Sequence, residues 1–229
     1  MTEALVESFR RELNDLAAYL IERSLIDEQR IPARRNRGQQ IVALESDYWS
    51  RDDNPRVQRK IPYAALYEEL ATSGAYDLRF LDGALVQFRY EFNQDGHQLH
   101  RSRAAFFPSP DLTPYQEDPE LYLHDEVYGE VVDPRVVPVP LRFDFDSRDD
   151  VVRELLHPAS HLTIGQYPHC RVPLTGALTP YFFVELVLRS FYRTNDWVHT
   201  DDLPRPRVQM PTTITAREQN YAHLALPST

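Results

Sequence analysis

The stretch from Leu85 to Phe107 constrains the fold more than any other part of the chain. From Leu85 to Phe92 the residue types alternate, with Val86, Phe88, Tyr90 and Phe92 on one side and Gln87, Arg89 and Glu91 on the other. A period of two marks a strand with one face on a core, because successive side chains point to opposite faces. Asn93-Gln94-Asp95-Gly96 follows with turn chemistry: glycine takes positive φ without steric cost, and Asn and Asp bond to their own backbone. His97 to Phe107 then returns as the partner strand. Leu141 to Asp146 alternates again, with Leu141, Phe143 and Phe145 inward and Arg142, Asp144 and Asp146 outward, which extends the sheet.

Helical signals flank these strands. Thr2 is placed to cap a helix running to about Ile26, in which Leu5, Phe9, Leu13, Leu16 and Leu20 recur at three- and four-residue spacing and bury one stripe. Arg30 to Arg37 reads as a basic loop and Gln40 to Leu44 as a short strand. A second helix is predicted to start at Pro62 as its first residue and to end near Gly74. Arg148 to Leu156 reads as a short helical or irregular piece. Thr179-Pro180 starts a helix from Tyr181 to about Thr194 that is apolar nearly all round and therefore central. The expected fold class is α+β: a mostly antiparallel sheet, an N-terminal amphipathic helix and a central buried C-terminal helix. Residues 1–196 are expected to form a single α+β domain, and 197–229 an extended Pro-rich tail. That tail is either a loosely packed terminus or an arm that orders on a partner.

Composition removes several function classes. A chain of 229 residues with 42% hydrophobic content supports a sizeable core. No run approaches the roughly 18 apolar residues of a membrane span. Met1 to Ser8 is acidic and polar rather than a signal peptide. One cysteine, Cys170, makes no internal disulfide, which fits a reducing cytoplasm. A net charge of −10 argues against a global electrostatic drive to nucleic acid, although it leaves room for a local basic groove. Lys60 is the one lysine among 25 basic residues. A GC-rich genome accounts for that bias, and arginine also suits bidentate recognition of phosphate. With 7 glycines, the chain shows no Gly-rich phosphate loop after a strand.

The densest chemistry lies in His157 to Pro173, H-P-A-S-H-L-T-I-G-Q-Y-P-H-C-R-V-P. Pro158 breaks any continuous helix through His157, so His157 and His161 are not a helical zinc pair. His161 and Thr163 alternate with Leu162 and Ile164, as in a strand with one polar face. If that strand pairs with Leu141 to Asp146, Arg142 and Asp144 lie across from His161. A histidine oriented by an aspartate has the arrangement needed for acid–base work, and Arg142 and Arg171 would hold a phosphate. The plainer alternative is that the histidines bond to backbone carbonyls and the Asp–Arg pair fixes the fold. Arg89, Arg101 and Arg103 on the hairpin, with Arg142 and Arg171, would form a basic patch on one sheet face. Gln166, Tyr167 and Tyr181 are candidates to line the same pocket, whereas Tyr90, Phe106 and Phe107 read as core.

Two weaker patterns lie in the same residues. His161-Leu162-Thr163-Ile164 resembles half of the two-histidine phosphoesterase signature, with His100-Arg101-Ser102-Arg103 as a partner whose flanks are charged where that signature has apolar residues. His157, His161, Cys170 and Asp144 are metal-ligand types, but their spacing matches no familiar cluster, so no metal and no cofactor are expected.

Several segments together resemble a known family. They are L-D-G-A-L-V-Q-F-R-Y-E-F (Leu81 to Phe92), R-A-A-F-F-P-S-P (Arg103 to Pro110), V-P-L-R-F-D-F-D (Val139 to Asp146), H-P-A-S-H-L-T-I-G-Q-Y (His157 to Tyr167), C-R-V-P-L (Cys170 to Leu174) and L-T-P-Y-F-F (Leu178 to Phe183). In this order the chain is similar, over roughly Leu5 to Arg193, to an uncharacterised bacterial family, domain of unknown function 2290. The resemblance implies a soluble, single-domain bacterial protein and an association with defence or toxin modules. It implies no mechanism.

The expected function is an intracellular bacterial effector acting on phosphodiesters, RNA or a nucleotide, by histidine chemistry. His161 and His157 serve as base and acid, Asp144 orients a histidine, and Arg142, Arg171, Thr163, Arg89 and Arg103 bind substrate. The alternative is a non-catalytic subunit of a larger bacterial assembly, with a protein partner engaged through the tail 197–229 or the loop 108–125.

Overall fold

The computed structural model of the protein describes residues 4–38, 40–50, 61–110, 139–167, 169–192 and 200–227. Among these, nine strands form one antiparallel sheet and three helices pack on it, so the protein is α+β. The strands are β1 (Ile26–Gln29), β2 (Ala33–Asn36), β3 (Ile41–Glu45), β4 (Leu78–Phe80), β5 (Leu85–Asn93), β6 (Leu99–Phe107), β7 (Leu141–Asp146), β8 (Ser160–Ile164) and β9 (Val172–Pro173). The helices are α1 (Leu5–Glu22), α2 (Tyr63–Ser73) and α3 (Pro180–Phe191). Strand order is β1-β4-β5-β6-β7-β8-β9, and the β2–β3 pair joins through β3 alongside β5.

The central hairpin forms where its alternation places it. Gly96 turns at φ 73° and Asn93 Oδ1 accepts from the backbone N–H groups of His97 (3.1 Å) and Gln98 (2.9 Å). The return strand therefore begins at Leu99 and not at His97, because the Asn93 side chain has already taken those two donors.

Other boundaries moved for equally local reasons. Thr2 lies outside the described residues, and α1 begins after Ala4, which supplies no side-chain cap. The helix stops at Glu22, short of Ile26, because Ser24 adopts φ 53° and Ile26 joins β1. The basic segment Arg30 to Arg37 is not wholly loop, since Ala33–Asn36 pairs with β3 as a largely exposed strand. Being polar on both faces, it carries no alternation for sequence reading to detect. Pro62 sits at the N-cap of α2 rather than at its first turn, and Gly74 closes that helix at φ 61°. Thr179 caps α3, with its side chain accepting from Phe182 N–H at 3.4 Å.

The two sheet faces have different coverings. On one face α1 and α3 bury Val86, Phe88, Tyr90 and Phe92 together with Phe143 and Phe145. Phe9 of α1 meets Tyr90 edge-on at 4.8 Å, and Phe183 of α3 meets Phe88 at 5.4 Å and Phe143 at 5.9 Å. Each such ring contributes about 1.5–3 kcal/mol by leaving water. From the C-terminal segment, Leu203, Val208 and Ile214 are buried, and Leu174 bridges Leu224. On the other face α2 covers only one end, packing Leu66 and Leu70 over Leu85, Ala105 and Phe107. Farther along that face the residues become charged. No helix among the described residues is long and apolar enough to cross a membrane.

Candidate functional site

The charged half of the second face floors an open cleft of about 210 Å³. Register alone assembles it. One cross-strand row runs Glu45 (β3), Arg89 (β5), Arg103 (β6), Asp144 (β7), His161 (β8), and the next runs Glu91 (β5), Arg101 (β6), Asp146 (β7). Antiparallel partners stand about 5 Å apart, so long charged side chains in one row meet directly. Asp144 does lie across from His161, and Arg142 lies across from Thr163.

Residues expected to point outward are buried here. Arg142, Asp146 and Glu91 are each 7% exposed and His161 is 2% exposed. Ion pairing makes that burial tolerable. Arg89 bridges Glu45 (3.1 Å) and Glu91 (2.7 Å), and Arg148 meets Asp146 at 2.7 Å. Asp144 is held from two sides, accepting from Arg103 Nε at 2.7 Å and Arg142 Nε at 2.6 Å. Burial opposes ionisation of Asp144, but the two guanidiniums outweigh it and hold the carboxyl well below the usual range.

Those two arginines use only their Nε edges on Asp144, and their terminal nitrogens make no hydrogen bond among the described residues. Arg171 donates to the Leu156 carbonyl at 3.2 Å and has no carboxylate partner among the described residues, and its Nε is buried without an acceptor. Arg101 contacts its nearest carboxylates only at 3.5–3.6 Å. Among the described residues the cleft is lined by six arginines and three carboxylates, so these side chains make it locally cationic in a chain of net charge −10.

His161 has a defined tautomer. Its Nδ1 lies 2.8 Å from the Pro158 carbonyl oxygen, which can only accept, so Nδ1 carries the hydrogen. The neutral ring then leaves Nε2 with a lone pair, 3.8 Å from Asp144 Oδ2. Burial lowers its pKa to about 4 against the opposing pull of Asp144, so the ring is neutral at pH 7. His157 stands beside it with ring centroids 4.9 Å apart, its pKa lowered by burial and then by Arg171, and its Nδ1 has no hydrogen-bond partner among the described residues. Thus His161, His157, Asp144, Arg142, Arg171, Arg89 and Arg103 converge on one cleft. Thr163 is buried, its hydroxyl has no partner among the described residues, and it does not line the cleft.

Other candidates fall elsewhere. Gln166 donates to the Ile61 carbonyl, Tyr167 is 70% exposed, and Tyr181 lies in the first turn of α3. None of the three lines the cleft. His100 Nδ1 pairs with Ser147 Oγ at 3.0 Å, so it gives His161 no second-motif partner. Tyr90, Phe106 and Phe107 are core. No group of three or more His, Cys, Asp or Glu among the described residues is placed to hold a metal ion. Glu91, Asp146 and Arg148 were not singled out from sequence for this site. Alternation already put Glu91 and Asp146 on the correct face, but nothing local announced that Trp49 and Arg148 wall the cleft.

No curated protein and no solved structure matches the chain. One family model does, described as an uncharacterized conserved protein, over residues 25–226. That span begins after the end of α1 and takes in the C-terminal segment, so the family match starts later than Leu5 and extends past Arg193. With this match over most of its length, the chain belongs to the DUF2290 family.

Proposed function

We propose that the cleft binds a phosphate ester of RNA or a nucleotide and that His161 cleaves it by acid–base chemistry. One observation carries this reading: a neutral imidazole with an unprotonated Nε2 sits beside the guanidiniums of Arg103 and Arg142, whose terminal nitrogens make no hydrogen bond among the described residues. The nitrogens of Arg103, Arg142 and Arg171 are suited to phosphate oxygens and to the charge that grows on them during displacement. His161 Nε2 takes the proton from the attacking hydroxyl, a ribose 2′-OH or water. His157 in its protonated form returns a proton to the departing oxygen, so the P–O bond formed replaces the one broken. Because the pKa of His157 is lowered, its acid form is populated below neutrality, and the rate optimum lies on the acid side of pH 7. The reading keeps its setting in a cytoplasmic bacterial defence or toxin module.

The test is cleavage of a 5′-labelled single-stranded RNA by the full chain. His161→Ala is expected to lose about 10²–10⁴-fold in kcat, the usual contribution of a positioned base. Arg171→Ala is expected to raise KM with a smaller effect on kcat. Full activity in His161→Ala refutes the catalytic reading. The mutual pairing of Asp144 with Arg103 and Arg142 favours a non-catalytic interaction subunit, and a wild-type chain that cleaves no phosphodiester would select it.

A further inference from the structure

The C-terminal segment reaches back to the turn that carries His157, and its contact there is specific. Thr215 to Glu218 reads T-A-R-E and forms a capping box: Thr215 Oγ1 accepts from Glu218 N–H at 3.2 Å, and Glu218 Oε2 accepts from Thr215 N–H at 2.9 Å. That exchange uses one carboxylate oxygen. The other, Oε1, accepts from the backbone N–H of Leu155 at 3.2 Å. Glu218 is 2% exposed, and no basic side chain bonds to it among the described residues. Its two oxygens are therefore committed to two backbone donors, one in the tail and one in the turn.

Leu155 needs that contact. It adopts φ 64°, a region that side chains with a Cβ avoid, and Ser24 is the one other described non-glycine residue to do so. The turn around it closes by reciprocal bonds, Arg153 N–H to His157 O at 2.9 Å and His157 N–H to Arg153 O at 2.7 Å. Two residues after Leu155, His157 lines the cleft, and the Leu156 carbonyl receives Arg171. A strained turn thus presents one imidazole and orients one arginine, and a carboxylate far along the chain holds its central amide. Beside it, Thr215 Oγ1 donates to Glu154 Oε1 at 2.5 Å and Arg217 lies 3.6 Å from Glu154, so the tail grips the turn at two neighbouring residues.

We infer that Glu218 is a positioning residue for the cleft, bracing the Leu155 turn so that His157 and Arg171 face the bound phosphate. This rests on the proposed function for its catalytic consequence, but the brace itself can be read without any substrate. A carboxylate accepts from both amides. In Glu218→Gln the side chain keeps its size but offers one oxygen and one NH₂ group, so one of the two amides meets a donor. Leu155→Gly removes the steric reason for the brace, because glycine holds φ 64° without strain.

The experiment follows the His157 imidazole by ¹H–¹³C NMR titration of the full chain, alongside cleavage of the labelled RNA. In Glu218→Gln the His157 resonance is expected to move and its pKa to rise toward the ordinary histidine value as the ring loses its burial. The kcat should fall at least tenfold, with melting still cooperative. Adding Leu155→Gly to Glu218→Gln should return the resonance most of the way and recover activity at least threefold. Arg205→Ala, at an exposed tail position, should change neither. An unmoved His157 resonance in Glu218→Gln overturns the brace. A moved resonance with unchanged kcat overturns its role at the site. If the wild-type chain cleaves no phosphodiester, the catalytic reading fails by itself, and the imidazole titration still decides whether Glu218 holds the turn.

Discussion

Asp144→Asn tests the centre of the cleft most directly. The carboxylate receives Nε–H from Arg103 at 2.7 Å and from Arg142 at 2.6 Å. Asparagine keeps one oxygen for one of these donors and turns an NH₂ group toward the other. Two cations, one of them 7% exposed, then share a site with no balancing charge between them. Removing one member of a buried ionic group costs about 3–5 kcal/mol, because the partners left behind stay desolvated. For a chain of this size 1 kcal/mol moves the midpoint by about 2–4 °C, so Tm should drop by roughly 6–20 °C in thermal melts at pH 7. The same change should strengthen anion binding. Taking away a negative charge ~6 Å from a bound phosphate removes roughly 2–3 kcal/mol of repulsion at an effective dielectric near 20, before screening by salt. Inorganic phosphate, titrated calorimetrically at low salt, should bind at least several-fold tighter. The pH dependence has a definite sign. With its folded pKa held below the usual value, Asp144 contributes stability that is present above about pH 4 and lost as pH falls below it. Asp144→Asn should therefore flatten the acid limb of the stability curve. A variant that melts within about 2 °C of wild type and binds phosphate no better would refute the picture of one carboxylate restraining two guanidiniums.

Two further titrations follow from burial. The His161 pKa is lowered to about 4 in the folded chain, so between about pH 6.5 and pH 4 the unfolded chain binds a proton that the folded chain refuses. Stability should fall as pH drops through that window, and His161→Asn should remove most of that slope in urea unfolding measured at pH 4.5 and 7. Glu12 is 2% exposed, accepts from Tyr181 N–H at 3.0 Å at the start of α3, and has its pKa raised by burial to about 8. A raised carboxyl contributes stability that is full below its unfolded pKa and disappears as pH rises through 8. Glu12→Gln should hold its Tm from pH 6 to 9 where wild type declines, and a parallel decline in both would contradict a protonated Glu12.

How far the site was legible can be judged from β7 and β8. Alternation in Leu141–Asp146 and Ser160–Ile164 assigned each side chain to a face, and pairing the two strands put Arg142 and Asp144 beside His161 as the structure has them. The tautomer of His161 was not legible, since it depends on where the Pro158 carbonyl points. Nor was the exclusion of Tyr167 and Gln166, because Gly165 at φ 64° turns the chain away from the strand just before them. The loop expected to meet a partner, 108–125, falls outside the described residues beyond Pro110.

What the chain determined by itself is what depends on nearest neighbours: the period of two in β5 and β7, the Asn93–Gly96 turn, the Thr179 cap and the apolar stripe of α1. These follow from steric preference and from which side of a strand or helix leaves water. Only the tertiary structure decided that Glu45, Arg89, Arg103, Asp144 and His161 form one row, because their alignment requires four separate strand registers. Likewise only the fold brings Glu218 to Leu155, a contact spanning 63 residues. Interactions of that range leave no periodicity in the sequence, since each partner is chosen by shape and charge in three dimensions and not by spacing along the chain.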